Sequence, residues 1–334
     1  MIDSLLDVTP AAVTGQQEHF GSPFPLVLEL RTPAGLDDAC QWIAANASSL
    51  VGQAAEHGAI LFRGFPLHTA EDFDRFVSAF GLPNFPYSES LSNAVRVNRT
   101  PRVFTANEAP PTVDILFHHE MAQTPVYPAR LFFFCEQPAE SGGATPLCRS
   151  DVLWQRIEQR SPEFARNCVE KGLVYSHVMP NGDDPQSGMG RSWQTTLRAT
   201  NPADAESRLQ SLGYHWQWLD NGCLRATTPV LPAVHLLPSG RRSFFNQLIA
   251  AYQGWKDSRN DPSKSITFGD GSALDREAAL LAASMAAELA FDIDWRRGDV
   301  ALLDNFVVMH GRRTFRGTRK VLASLADPRT AAQN

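Results

Sequence analysis

AVRVN (94–98), RVFTAN (102–107), VDILFHHE (113–120), ARLFFFCEQ (129–137) and GGATPLC (142–148) follow one another along the chain. Their apolar residues alternate with polar ones or come in short bursts, and Pro and Gly fall between them. That pattern predicts a run of strands. On the N-terminal side, GLDDACQWIAANASSLVGQAAEHG (35–58) repeats its apolar residues at three- and four-residue steps, which predicts an amphipathic helix. AILFRGF (59–65) reads as a strand ending near Gly64. TAEDFDRFVSAFG (69–81) reads as a helix with Thr69 as N-cap, Asp72 three residues on, and Phe73, Phe76 and Phe80 on one face.

On the C-terminal side, DVLWQRIEQRSPEFARNCVEKG (151–172) predicts one or two helices broken near Pro162. Strands are expected at LVYSHV (173–178), CLRATTPV (223–230), AVHLL (233–237) and SFFNQ (243–247). LDREAALLAASMAAELAF (274–291) is rich in helix formers. DVALLDNFVVMH (299–310) and RKVLASLAD (319–327) add further strands. Many short strands beside a helical hem point to a mainly β fold. The expected form is a jelly roll (a double-stranded β-helix) or a related double-sheet barrel. Residues 1–334 read as a single domain, with core strands at about 94–150 and 220–330 and a helical insertion at about 151–220.

Composition bounds the function. Of 334 residues, 43% are hydrophobic and 20% charged, enough for a large core. A net charge of -6 gives no electrostatic footprint for nucleic acid. No basic run faces an anionic membrane, and no apolar stretch reaches the ~18 residues of a span. MIDSLLDVTPAAV (1–13) lacks the basic start and apolar run of a signal peptide. Cys40, Cys135, Cys148, Cys168 and Cys223 are scattered and odd in number, without a Cys-x-x-Cys pair. That tells against a disulfide framework or structural zinc and suits a reducing, cytoplasmic setting.

Within VDILFHHE, residues two apart on a strand share a face, so His118 and Glu120 project together and His119 points away. An imidazole beside a carboxylate supplies two ligands of a facial triad on iron(II). A polar surface strand with a chance His and Glu is the plainer alternative. A third ligand is available at His310, at the end of an apolar strand before the turn-prone Gly311; a backbone-bonded core histidine is the alternative there. Arg319 lies on the next strand. A cosubstrate with a distal carboxylate needs a fixed cation, which Arg supplies bidentately, and the Thr145 hydroxyl is a candidate to complete the contact. Arg319 also reads as one surface charge among Arg312, Arg313, Arg316 and Lys320.

These segments carry a family resemblance. GAILFRGFPLHTAEDFDRF (58–76), FHHEMAQTPVYPARLFFFCEQPAESGGATPL (117–147), SWQTTLRATNPADAESRLQSLGYHWQWLDNGCLR (192–225), SGRRSFFNQL (239–248) and LLDNFVVMHGRRTFRGTRKVLASLADP (302–328) resemble the taurine dioxygenase/TfdA superfamily of iron(II)/2-oxoglutarate oxygenases. Within it the chain is most similar to the clavaminate-synthase-like and syringomycin-pathway aspartyl hydroxylase branch. The resemblance implies His118, Glu120 and His310 as iron ligands and catalytic residues. It implies Thr145 and Arg319 as the grip on 2-oxoglutarate, with O2 as the other cosubstrate. Ala323 stands where taurine dioxygenase carries a sulfonate-binding Arg, which tells against a sulfonate substrate.

The implied reaction is hydroxylation of an unactivated C–H bond in an amino acid or amino-acid derivative, free or tethered to a carrier protein, in natural-product biosynthesis. Desaturation, epoxidation or cyclisation would draw on the same chemistry. Asn107, Asn246 and Arg313 are candidate substrate contacts; turn hydrogen bonds for the two Asn and a local salt bridge for Arg313 are the alternatives. Two other classes remain open. One is a non-oxygenase metalloenzyme on a cupin-like barrel, which needs neither Arg319 nor Thr145. The other is a scaffold with a degenerate metal site.

Overall fold

The computed structural model describes residues 6–106 and 108–331. Its largest sheet has seven strands, in the order Val8–Ala11, Leu26–Leu30, Ala59–Arg63, Val300–Asp304, Val126–Gln137, Lys320–Thr330 and Phe104–Thr105. Leu26–Leu30 and Ala59–Arg63 run parallel, so the chain between them must cross over, and the 22-residue helix Leu36–His57 does so. The other pairings in this sheet are antiparallel.

ARLFFFCEQ is apolar almost throughout because its strand is covered on both faces. Phe132 and Phe134 face the helical layer, where Phe132 meets Phe80 at 5.0 Å and Phe134 stacks on Phe73 at 5.2 Å. Leu131, Phe133 and Cys135 face the opposite way, into a layer shared with the second sheet. Helix Ala70–Ser78 begins on the reciprocal cap read from the sequence: the Asp72 N–H donates to Thr69 Oγ1 at 3.1 Å, and the Thr69 N–H donates to the Asp72 carboxylate at 3.0 Å. The cap fixes the helix phase, and Phe73, Phe76 and Phe80 are all buried on the sheet side. Each such burial stabilises by about 1.5–3 kcal/mol.

The second sheet is antiparallel, in the order Phe291–Ile293, Thr145–Arg149, Val308–Arg312 and Ile115–His118. Leu147, Phe291, Ile293 and Val308 from this sheet pack against Leu131, Phe133, Leu303 and Leu325 from the first. A third sheet, His215–Trp218, Leu224–Thr227, Leu173–Met179 and Ile266–Phe268, lies outside this pair. It draws in Leu224–Thr227, which the sequence had placed among the core strands, and Ile266–Phe268, which was not read as a strand. The two main sheets take their strands from residues 8–149 and 291–330.

Other expectations also shift. AVRVN is not a strand; only Asn98 makes an isolated bridge, to Phe104. AVHLL and SFFNQ shrink to the two-residue strands His235–Leu236 and Arg242–Ser243. The helix break near Pro162 is real, with Ser150–Arg160 and Pro162–Lys171 on either side. Among the described residues no helix is long and apolar enough to cross a membrane. The five cysteines are free thiols.

Candidate metal centre

The register of the second sheet builds the centre. His310 lies directly opposite His118 on one side and Leu147 on the other. Cross-strand partners share a face, so the two imidazole rings meet with centroids 4.3 Å apart. The strand ends at His118, and Glu120 sits in the turn just beyond it rather than on a continuing strand. It still comes round to the same side: ligand atoms of His118, Glu120 and His310 all lie within 4.8 Å of one another.

Each donor is prepared by its surroundings. His118 Nδ1 lies 2.8 Å from the Leu116 carbonyl, which assigns the proton to Nδ1 and leaves the Nε2 lone pair free. Burial, then the neighbouring His310, lowers the His118 pKa to about 4, so the ring is neutral. Burial by itself would raise the Glu120 carboxyl. The Arg96 guanidinium and His310 outweigh it and hold the group well below the usual carboxylate range. His310 Nε2 stands 3.6 Å from Glu120 Oε2, and its buried Nδ1 has no hydrogen-bond partner among the described residues. Two imidazoles and one carboxylate, converging on one point, fit a divalent transition metal of the iron type.

Two neighbours were not read from the sequence. Asn305, in the turn between Val300–Asp304 and Val308–Arg312, clasps the Glu120 main chain with its carboxamide. Arg96 reaches in from the AVRVN segment and places Nη2 at 3.1 and 3.3 Å from the two Glu120 oxygens. Its signal was masked by the strand reading, which made it one more alternating polar residue. His119 points away from the centre, as its position implied, but into the interior. It is fully buried, with Nδ1 on the Asn305 carbonyl and its ring 4.9 Å from Phe245.

Two chambers open from the centre. The narrow one is lined by His118, His310, Phe133, Val321, Thr145 and Arg319. At its far end Arg319 Nε donates to the Gly143 carbonyl at 2.8 Å, and Nη2 donates to Thr145 Oγ1 at 3.2 Å. Trp295 Nε1 also donates to Thr145 Oγ1, at 2.9 Å. With two donors on its oxygen, the Thr145 hydroxyl has its own hydrogen to give. Burial, then repulsion from Arg312, lowers the Arg319 pKa to about 10, so it remains a cation at neutral pH. No carboxylate pairs with it among the described residues. A buried cation beside a free hydroxyl donor is a receptor for a carboxylate.

The wider chamber, of about 480 Å³, touches His118, Glu120 and Arg96 and is walled by Gln123, Gln247, Trp255 and the ion-paired Asp184, Asp257 and Arg259. Its wall residues come mainly from loops, where periodicity carries no signal. The substrate contacts read from the sequence fare differently. Asn246 does not line this chamber: it is fully buried, its Nδ2 donating to the Ala233 carbonyl and its Oδ1 accepting the Leu248 N–H, both at 2.8 Å. Its amide is consumed in fixing the start of helix Leu248–Gly254. Arg313 turns outward to Asp292, at 3.2 Å, with 37% of its side chain exposed. Asn107 lies outside the described residues.

Residues 25–325 match the taurine catabolism dioxygenase TauD, TfdA family. A clavaminate synthase-like protein of Arabidopsis thaliana is 40% identical over 333 residues, covering 97% of this chain and 99% of its own. The dapdiamide synthesis protein DdaC of Enterobacter agglomerans is 28% identical over 288 residues, covering 82% and 83%. The crystal structure of a putative alpha-ketoglutarate-dependent taurine dioxygenase from Burkholderia xenovorans superposes with a TM-score of 0.54 at 14% identity, over 98% of this chain and 95% of that one, which shows the shared fold. Family match, relatives and donor set agree: the chain belongs to the TauD/TfdA family and is an iron(II)- and 2-oxoglutarate-dependent dioxygenase.

Proposed function

We propose that His118, Glu120 and His310 hold the iron, that Arg319 and Thr145 hold the distal carboxylate of 2-oxoglutarate, and that the enzyme hydroxylates an unactivated C–H bond of an amino acid or amino-acid derivative. The supporting observation is the placement of the three donors at the junction of two chambers, one ending in a buried cation and hydroxyl, the other wide enough for a second molecule. On this reading the first sheet and the sheet facing it form a double-stranded β-helix, and residues 1–334 work as one catalytic unit in the cytoplasm.

Bound iron supplies oxidative decarboxylation of 2-oxoglutarate and the C–H oxidation it drives. The protein's part is orientation and exclusion of water. His118 presents Nε2 because Leu116 holds its Nδ1 proton. Glu120 is kept anionic by Arg96 and held in place by Asn305. Arg319 and Thr145 set how far a dicarboxylate extends toward the three donors, and the apolar Phe133 and Val321 keep that path dry. The wide chamber takes the substrate. Its wall carries both signs of charge, Lys256 and Arg259 beside Asp114, Asp184 and Asp257, which suits a zwitterion better than an ion of one sign. The name of the Enterobacter relative, with its synthesis of dapdiamide, supports a natural-product role; in that role the substrate would be free or tethered to a carrier protein. Desaturation, epoxidation or ring closure would use the same site.

Anaerobic addition of iron(II) and then 2-oxoglutarate to the metal-free protein tests the site. A weak visible absorption appearing only with both is expected. Bound iron with no band on adding 2-oxoglutarate would overturn the cosubstrate assignment. A screen of free amino acids and carrier-bound aminoacyl groups for succinate release matched by oxidised product tests the substrate class; matched turnover confined to other chemistries would reject it.

A further inference from the structure

Arg96 belongs to no strand or helix, yet its guanidinium is buried against Glu120 at the wall common to both chambers. A single nitrogen, Nη2, lies 3.1 Å from Oε1 and 3.3 Å from Oε2. An atom so nearly equidistant lies close to the plane that bisects the two oxygens, and we take it to occupy the bay between their inner lone pairs. That bay is where a metal would sit to take both oxygens at once. Oε2 is also the oxygen that approaches His310 Nε2, at 3.6 Å.

We infer that Arg96 is a positioning residue that makes Glu120 a one-oxygen ligand. With the bay filled by a cation, iron held by the two imidazoles is left the outer side of Oε2. Repulsion between guanidinium and metal keeps them on opposite sides of the carboxylate. A carboxylate free to chelate would take up a second coordination position and compete with 2-oxoglutarate, which must itself chelate. The device is rigid. The guanidinium packs over the rings of Tyr87 and Phe104, at 5.0 and 5.4 Å from their centroids. Tyr87 in turn donates its hydroxyl to the Ala94 carbonyl two residues before Arg96. Burial works against the charge on Arg96, but Glu120 more than restores it.

The inference rests on the ligand assignment above, and the test separates the two. The parent protein, Arg96→Leu and Arg96→Lys are compared in anaerobic titrations with iron(II) and then 2-oxoglutarate. Near-infrared magnetic circular dichroism of the iron(II) forms reads the coordination. Arg96→Leu should bind iron(II) within about threefold of the parent, lose about tenfold or more in 2-oxoglutarate affinity, and show an altered ligand field before 2-oxoglutarate is added. Arg96→Lys, which restores a cation, should recover most of the loss. Parent-like 2-oxoglutarate affinity and ligand field in Arg96→Leu would overturn the inference. So would loss of iron from both variants, or a defect that Lys leaves untouched. Absence of the band in the parent itself would instead reject the ligand assignment.

Discussion

The carboxamide of Asn305 grips the main chain of Glu120 from both sides: Oδ1 accepts the Glu120 N–H at 2.9 Å, and Nδ2 donates to the Glu120 carbonyl at 3.0 Å. Nδ2 also donates to the Pro128 carbonyl at 2.7 Å, and Asn305 is fully buried. The turn that carries the carboxylate is thereby tied to the turn that precedes the His310 strand. Asn305→Ala leaves three buried main-chain groups without this partner and should cost about 2–4 kcal/mol of stability by urea unfolding. Iron(II) affinity should fall with it. Parent-like iron affinity in that variant would show that the strand register alone places Glu120.

Arg319→Ala should raise the KM for 2-oxoglutarate about 10- to 150-fold, the equivalent of about 1.5–3 kcal/mol for a charge-assisted contact. Thr145→Val removes one neutral donor and should cost less, about three- to tenfold. Steady-state succinate formation measures both. An unchanged KM in Arg319→Ala would place the carboxylate elsewhere.

Removing the ligands should separate two effects. His118→Ala, Glu120→Ala and His310→Ala are all expected to lose bound iron and turnover, read by metal analysis. Glu120→Ala alone also strands the guanidinium of Arg96, whose side chain is 7% exposed. Breaking a buried pair costs about 3–5 kcal/mol, so the metal-free Glu120→Ala protein should unfold at lower urea than metal-free His118→Ala. Equal midpoints would mean that Arg96 escapes to solvent when its partner goes.

His177 offers a pH test away from the centre. It lies in strand Leu173–Met179 against Trp255, with its Nε2 lacking a hydrogen-bond partner among the described residues. Burial lowers its pKa from 6.5 to about 4, with Asp257 opposing weakly. Between those values the unfolded chain takes up a proton that the folded chain refuses. Stability therefore falls as pH drops from 6.5 toward 4, by up to about 3 kcal/mol from this residue, and is restored above 6.5. His177→Phe should flatten that slope relative to the parent in urea midpoints taken at pH 7.5 and pH 5. Identical slopes would show the proton being accommodated in the fold.

Much of the centre was legible because it depends on short, strongly patterned segments. FHHE and VVMH put the proposed ligands in short patterned segments, and His118 and His310 do meet as cross-strand partners, although Glu120 lies in the turn beyond the strand and not on it. The cap of Thr69 and Asp72 and the face of Phe73, Phe76 and Phe80 are local rules and were readable for that reason. What escaped depends on distant contacts. Arg96 and Asn305 act through Glu120, from 24 and 185 residues away. Asn246 was misplaced because a buried Asn serves backbone as readily as ligand, and sequence carries no sign of which. The third sheet captured strand 224–227 because pairing is settled by tertiary packing, which periodicity does not encode.

The position of His310 between Thr145–Arg149 and Ile115–His118 has a consequence for biosynthesis. A chain emerging from the ribosome exposes two of the proposed ligands, His118 and Glu120, while the third, His310, is still untranslated. The strand Lys320–Thr330, which lies along Val126–Gln137, arrives later still. Throughout that interval the edge of ARLFFFCEQ with which it will pair is left open. Such late closure is slow and aggregation-prone. On the proposed ligand assignment, metal loading therefore waits until the His310 strand has been made and has paired with Ile115–His118.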